Sequence, residues 1–323
     1  MADLVPAEGR MLEQILDNTY EIWHEGLTRA RYGRFFHAQM QTKWGAAHLS
    51  RWALVEGADV LASAKTYAFR GMLDGQAVDI VGIGAVFTPP AHRGRGHGRD
   101  LIDRLTARAA TRGADLALLF SEIGADYYAR RGFTVVPTMD CTLAVATSDR
   151  YGAPATMIRS GHDRDLDGLV AMNRVRAEPF RFHLDRDRDV LTYAITKKRL
   201  IAGFGRPSVR ELQFFVTEEG TTGVAYVVLS VHGGEWTLEE CGDRDPTGAR
   251  VGAILQALIA RQPAERPPRI RAWLPPGFVP PQITIAASQP SSEVMMILPL
   301  TRAAESARTL GENDVLYWRG DLF

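Results

Sequence analysis

Cysteine is scarce in this chain, with two residues, Cys141 and Cys241, among 323. A pair so few and so far apart excludes a disulfide framework, and no Cys/His spacing forms a zinc pattern. No metal is expected. Net charge is also missing: 38 basic residues balance 38 acidic ones. That balance gives no reason to expect a polyanionic partner such as nucleic acid. No run approaches the ~20 apolar residues that span a bilayer. The opening Met1-Ala2-Asp3-Leu4-Val5-Pro6 has neither the basic end nor the apolar core of a signal peptide. The expectation is a reduced, cytoplasmic protein with no membrane partner.

What is present is an ordinary globular composition, 46% hydrophobic and 24% charged. The length exceeds one comfortable core and favours two domains. The first ~50 residues carry apolar positions at helical spacing, first Leu12, Ile15, Leu16, Tyr20, Ile22 and Trp23, then Tyr32, Phe35, Phe36, Met40 and Trp44. The period then changes. Strands are expected at residues 52–55, 60–64 and 78–86, with Asp74-Gly75 as the turn before the last. A helix is expected over residues 100–112, stopped by Gly113, and then a strand at Leu116-Ala117-Leu118-Leu119-Phe120 buried on both faces. A short helix ends at Gly132, and Phe133-Thr134-Val135-Val136 begins another strand.

Near residue 150 the order restarts. Thr156-Met157-Ile158-Arg159 reads as strand, residues 165–174 and 188–200 as helix, and residues 212–216, 223–230 and 235–240 as strands. A helix over 248–261 and strands at 270–274 and 294–298 follow, and the Pro-rich stretch 262–281 reads as loops. The expectation is an α/β chain of mixed α+β sheets in two copies of one fold, residues 1–149 and 150–323.

The chemistry is concentrated in Thr88-Pro89-Pro90-Ala91-His92-Arg93-Gly94-Arg95-Gly96-His97-Gly98-Arg99, between an apolar strand and an amphipathic helix. Glycines at alternate positions let backbone N–H groups converge on one point, as an anion nest requires. The helix adds its dipole and unpaired N–H groups, and Arg93, Arg95 and Arg99 add charge at the rim. A Walker A loop would end in Gly-Lys-Ser/Thr, which is lacking. A Rossmann fingerprint would need glycine where Arg99 stands, on the first strand of a parallel unit. A basic surface turn is the plainer alternative for this loop alone. His92 and His97 have no metal partner and read as loop or ligand packing.

Arg93-x-x-Gly96-x-Gly98 resembles the Arg/Gln-x-x-Gly-x-Gly/Ala motif of GNAT acetyltransferases. Ser121-Glu122-Ile123-Gly124-Ala125-Asp126-Tyr127-Tyr128-Ala129-Arg130-Arg131-Gly132-Phe133 resembles that superfamily's Phe/Tyr-Tyr-x-x-x-Gly-Phe segment, at the expected distance. The resemblance covers roughly residues 50–140. More narrowly, Val86-Phe87-Thr88-Pro89-Pro90 with Ser121-Glu122-Ile123-Gly124 resembles the fungal lysine N6-acetyltransferases and their bacterial relatives. The usual first strand of the fold is barely visible.

The resemblance implies acetyl-CoA as co-substrate and a small-molecule amine as acceptor: lysine, a polyamine or an aminoglycoside. It places pantetheine along the main chain of Val86, Phe87 and Thr88, and diphosphate on Arg93, Gly94, Arg95, Gly96, His97, Gly98 and Arg99. It makes Tyr128 the general acid that protonates the departing thiolate, with a core tyrosine as the bland alternative, and it makes Tyr127 core. Glu122 is the candidate base, or else a helix N-terminal or substrate-orienting carboxylate; Asp79 lies too far back. A terminal carboxylate beyond Asp321-Leu322-Phe323 is a remoter candidate. Tyr20, Trp23, Tyr32, Phe35 and Trp44 could line the acceptor pocket, though aromatics at helical spacing are more often core.

At the matching point of the second half, Cys241-Gly242-Asp243-Arg244-Asp245-Pro246-Thr247-Gly248 carries aspartates where a diphosphate cradle wants arginines. This copy is expected not to bind CoA, with Glu239 or Glu240 drawing a cationic amine. The rival to an enzyme is a non-catalytic acyl-CoA sensor or scaffold of the same tandem fold.

Overall fold

The computed structural model describes residues 2–146, 157–206, 209–262 and 267–323. Its contacts gather into two units: Met1–Val136 with Glu293–Leu310 and Phe323, and Pro137–Ser292 with Gly311–Leu322. The expected boundary at 149/150 and the predicted strand residue Thr156 lie outside the described residues.

In the first unit, strand β1 (Asp3–Pro6) precedes helices α1 (Gly9–Trp23), α2 (Arg29–Gln41) and α3 (Lys43–His48). The first strand is thus present, where the sequence barely shows it. Four residues containing a proline carry almost no period, and only pairing with the next strand, β2 (Leu49–Glu56), defines them. α1 buries Leu12, Ile15, Leu16 and Thr19 at helical spacing. Thr42 separates α2 from α3, donating to Gln39 O at 2.7 Å and accepting from Gly45 N at 3.0 Å. β2 continues antiparallel into β3 (Asp59–Leu73) and β4 (Gln76–Phe87). Asp74 and Gly75 both have positive φ, 49° and 77°, as a two-residue hairpin turn demands.

After β4 come α4 (His97–Thr111), β5 (Leu116–Ser121), α5 (Asp126–Ala129) and the two-residue β6 (Thr134–Val135). α4 buries Leu101, Ile102 and Leu105 against Trp52, Leu54, Ile83, Ala117 and Leu119. β5 runs parallel to β4, and its other edge is covered by the strand Val294–Pro299, which also pairs with β6. The sequence shows that strand but gives it no address.

The second unit has β7 (Met139–Val145), β8 (Met157–Ser160), α6 (Leu166–Ala177), β9 (Phe182–Leu184) and α7 (Arg188–Phe204). It continues with β10 (Arg210–Glu219), β11 (Thr222–His232), β12 (Glu235–Asp243), α8 (Ala249–Ile259), β13 (Arg269–Ala272) and β14 (Ile283–Pro290). Its sheet has the order β14-β7-β13-β12-β11-β10-β8. Each unit therefore carries a mixed sheet, with one parallel pair joined through a helix: β4–α4–β5 and β12–α8–β13. The chain is a mixed α/β protein.

The second unit also buries a charge cluster. Arg186 donates through Nη2 to Glu240, through Nε to Asp321 at 3.1 Å and through Nη1 to Asn173 at 2.7 Å. Trp318 Nε1 reaches the same Asn173 oxygen at 3.0 Å. Burial holds the Glu240 and Asp321 carboxyls up, and Arg186 opposes that rise. Glu239 accepts from Ser230 Oγ at 2.6 Å and pairs with Lys198 Nζ at 3.0 Å. The expectation that Glu239 or Glu240 draws a cationic amine is corrected here, because both are buried and already hold cations of this chain. Arg186→Met leaves Glu240 and Asp321 buried without their cation, and unfolding in urea should show a loss of about 3–5 kcal/mol.

Candidate active site

β4 is the strand on which the site is built. Its ladder to β5 runs from Ile80–Leu116 to Ile83–Leu119 and stops there, although β4 continues to Phe87 and β5 to Ser121. Beyond Ile83, β4 has no residue paired with β5. On the other side, β3 pairs Lys65 with Gly84 and Ser63 with Phe87, so Ala85 and Val86 face the single residue Ala64. This is a β-bulge, and it rotates the strand's amides out of the regular ladder. Ala85 accommodates it at φ 47°, a conformation an alanine adopts only where its surroundings impose it.

Immediately beyond, the chain makes a short turn at Pro90–His92 and enters the glycine loop. Gly94 and Gly96 have φ of 76° and 84°, and a side chain at either would meet nothing within 4 Å, so the loop backbone is open. Gly96 is the N-cap of α4 in the left-handed region, which leaves the first-turn N–H groups of α4 facing outward. Arg93, Arg95 and Arg99 are exposed around it, while His97 and Gly98 are half-buried. Arg93 Nε donates to Thr88 O at 3.1 Å and ties the loop to the end of β4. Open backbone, helix N-terminus and exposed guanidinium groups suit a diphosphate, and the parted strands suit the extended amide arm attached to it. The residues present fit an acyl-CoA. Among the described residues no group of three His, Cys, Asp or Glu side chains gathers to hold a metal ion.

α5 brings two tyrosines to this region with different surroundings. Tyr128 is 7% exposed, within the core that α4 packs on. Burial pushes its phenol up to about 12; Tyr127 and Glu122 add to the rise and Arg131 opposes it. Tyr127 is only half-buried, with the Arg131 guanidinium 4.0 Å from its ring centroid. Its hydroxyl and Thr88 Oγ1 lie 3.0 and 3.1 Å from where a Cβ on Gly98 would stand. The expectation that Tyr127 is core is met only in part: its ring packs at the edge of the core, and its hydroxyl stands over Gly98 of the glycine loop. Glu122 is exposed just past β5, near enough to Tyr128 for its charge to be felt.

Of the five aromatics offered for an acceptor pocket, Tyr32, Phe35 and Trp44 are buried, as their helical spacing allowed. Tyr20 and Trp23 are half-buried, and Trp23 meets Phe87 edge-on at 6.4 Å, beside the end of β4. Asp79 is exposed, and its backbone bonds with Asp115 at the opposite end of the β4–β5 ladder.

The sequence reading missed Phe323 as a side chain. Its ring lies 4.7 Å from Tyr67, 5.6 Å from Phe69 and 5.5 Å from Phe120. A Cβ on Gly82 would come within 2.7 Å of that ring, and one on Gly84 within 3.1 Å of the Phe323 main-chain oxygen. The signal was there in Val81-Gly82-Ile83-Gly84: glycines two apart in an apolar strand mark a face that another group approaches closely.

The second unit shows what such a loop looks like when closed. Gly248 caps α8 at φ 73°, as Gly96 caps α4. Here Asp243 accepts from Arg250 N at 2.9 Å and Asp245 N at 2.9 Å, and pairs with Arg250 Nη1 at 3.1 Å. A carboxylate of the chain itself occupies the helix N-terminus.

A meander, a bulge beside parted strands, and an open glycine loop capping the next helix define an acyl-CoA-dependent N-acyltransferase fold. Residues 10–136 match the family described as an acetyltransferase (GNAT) domain. A GCN5-related N-acetyltransferase from Anabaena variabilis superposes with a TM-score of 0.68 at 10% identity, over 93% of this chain and 73% of that one. One from Kribbella flavida gives 0.67 at 17% identity, over 92% and 70%. The N-myristoyltransferase of Saccharomyces cerevisiae, solved with bound myristoyl-CoA, gives 0.51 at 12% identity, over 80% and 68%. No curated protein matches the sequence. Residues 10–136 therefore carry a GNAT acetyltransferase domain, the domain of an acyltransferase.

Gly98→Ala sets a methyl against the Tyr127 hydroxyl and Thr88 at the mouth of the loop. Calorimetry should find CoA binding weakened by about tenfold or more, near 1.4 kcal/mol, with little change in melting temperature.

Proposed function

We propose that this chain transfers an acetyl group from acetyl-CoA to the primary amine of a small molecule, by direct attack in a ternary complex. The observation that carries this reading is the end of the β4–β5 ladder at Ile83–Leu119, set directly beside the open Gly94–Gly96 loop. In this reading the main chain of Val86, Phe87 and Thr88 holds the pantetheine arm, and Arg93 to Arg99 with the α4 N-terminus hold the diphosphate. Bound there, the co-substrate supplies an activated acyl thioester. A backbone N–H of the bulged strand polarises the acyl carbonyl, an electrostatic contribution that needs no reorganisation. The Phe323 ring over Gly82 and Gly84 limits the space beside the bulge, which supports a short acyl group over a long one.

Tyr128 gives its proton to the departing thiolate in this scheme. With its phenol near 12 it stays protonated across the working pH range; a thiol near 8.5 is the stronger acid, so this proton transfer runs uphill and must be coupled to departure of the thiolate. Glu122 takes the amine proton, directly or through water. The position of the Tyr127 hydroxyl over Gly98 favours a second assignment, with Tyr127 as the donor. The first unit would act as the catalytic domain and the second as a related domain without a phosphate loop, since Asp243 fills the equivalent helix end. Two buried free cysteines suit a cytoplasmic setting.

The test is acetyl-CoA-dependent thiol release over an amine panel headed by free L-lysine, with Tyr128→Phe and Tyr127→Phe in parallel. Loss of about 10²–10⁴ in kcat is expected in the variant that lacks the acid. For Tyr128 the raised pKa fixes the sign of the pH effect: its proton is retained below about 12, so no fall in kcat from this group is expected up to pH 10. Tight CoA binding without thiol release from any amine would instead favour the acyl-CoA sensor.

A further inference from the structure

The second unit holds a cavity of about 490 Å³ between the start of α6, the β10–β11 hairpin and the chain leaving β12. That volume falls in the range of about 300–1,000 Å³ that small-molecule sites occupy. Its floor is Leu169, Met172 and Val216, all buried in the core beneath α6. Its walls stand apart because two glycines face one another. A Cβ on Gly168 of α6 would have only Gly223 O within 4 Å outside its own helix, at 4.0 Å. Gly168 lies within α6 without a positive φ, so neither backbone conformation nor tight packing requires a glycine there. Glycine is a poor helix former, and what it leaves at this point is room.

Five charged side chains border the cavity. Arg159 is already committed: its two terminal nitrogens donate to Asp165 at 2.8 and 2.6 Å, and it pairs with Glu218 at 2.5 Å. One guanidinium thus answers both carboxylates. Arg164 is exposed and stands 3.9 Å from Glu218, beyond hydrogen-bond distance. Arg244 is exposed as well. Its backbone N–H is bonded to Val224 O at 2.9 Å, and its guanidinium has no ion pair among the described residues. Three guanidiniums against two carboxylates leave the cavity cationic, with Arg164 and Arg244 available to a ligand. Thr221 and Thr222, exposed in the hairpin turn, add hydroxyl donors.

We propose that this cavity binds a small phosphate monoester, with its apolar body on the Leu169, Met172 and Val216 floor and its phosphate between Arg164 and Arg244. The donors belong to three separate elements: Arg164 ahead of α6, Arg244 beyond β12, and the threonines of the hairpin. Donors so distributed suit a tetrahedral oxyanion with three oxygens better than a planar carboxylate, which a single guanidinium fork fills. Two guanidiniums also match the charge of about −1.5 to −2 that a phosphate monoester carries at neutral pH. Asp243 keeps the N-terminus of α8 closed to the same phosphate. The site lies wholly within the second unit and stands whatever the first unit catalyses.

The experiment is calorimetry on the full chain with phenyl phosphate, benzoate and phenol as probes. Phenyl phosphate should bind about tenfold or more tighter than benzoate, with no measurable binding of phenol. Arg164→Gln and Arg244→Gln should each weaken it by about fivefold or more, and together remove it. Gly168→Leu fills the cavity and should remove binding while the melting temperature holds or rises, leucine being the better helix former. Gly168→Ala adds one methyl and should weaken binding less. The two arginine variants, both at exposed positions, keep the test independent of folding. Arg95→Gln in the glycine loop of the first unit should change nothing. Binding that falls in Arg95→Gln and survives the double arginine variant would put the ester in that loop and overturn the inference. Benzoate bound as tightly as phenyl phosphate would overturn the phosphate assignment, and no heat from phenyl phosphate at millimolar concentration would overturn the site itself.

Discussion

β4 has to satisfy three incompatible demands within the five residues from Gly82 to Val86, and the first unit is arranged around how it does so. Up to Ile83 it is an interior strand, hydrogen-bonded to β3 on one side and β5 on the other. From Gly84 it must give up β5, and amides that lose a partner in a protein interior need another. The bulge at Ala85–Val86 rotates those amides away from the regular ladder, at the cost of an alanine held at positive φ. The face opposite α4 is stripped to glycine at 82 and 84, so that the Phe323 ring can lie on the strand itself. Together these leave β4 with an open edge, a turned stretch and a bare face.

The two units solve one electrostatic problem in opposite ways. Each has a helix entered through a left-handed glycine, Gly96 or Gly248, and each such N-terminus attracts negative charge. In the second unit Asp243 answers from within the chain, and the buried Arg186–Glu240–Asp321 cluster likewise closes on itself. The first unit leaves its N-terminus ringed by exposed arginines and its buried Arg51 unanswered. The second unit answers these charges from within the chain, and the first leaves Arg51 without a hydrogen-bond partner.

Much of the fold was legible because most of its elements are long and strongly periodic. α1, α4 and β3–β4 announce themselves through spacing and through Asp74-Gly75, and the loop from Arg93 to Arg99 through glycines that no other structural demand explains. β1 and β6 escaped, being too short to carry a period. The strand at 294–299 was seen but misplaced, because an apolar run states that it is buried and not beside what. Tyr127 and Tyr128 are adjacent and chemically identical in the sequence; which of them is half-buried over Gly98 depends on the angle at which α5 meets the sheet.

The sequence by itself determined the class of chemistry, since a glycine-arginine loop before a helix and a tyrosine segment after a strand are local patterns with local physical causes. Only the tertiary structure decided which side chains meet. Arg51, Lys65 and Gly84 lie on three different strands, and Phe323 reaches Gly82 across 241 positions of sequence. Whether a buried arginine has a partner is a property of what packs around it, and no residue's neighbours along the chain record that.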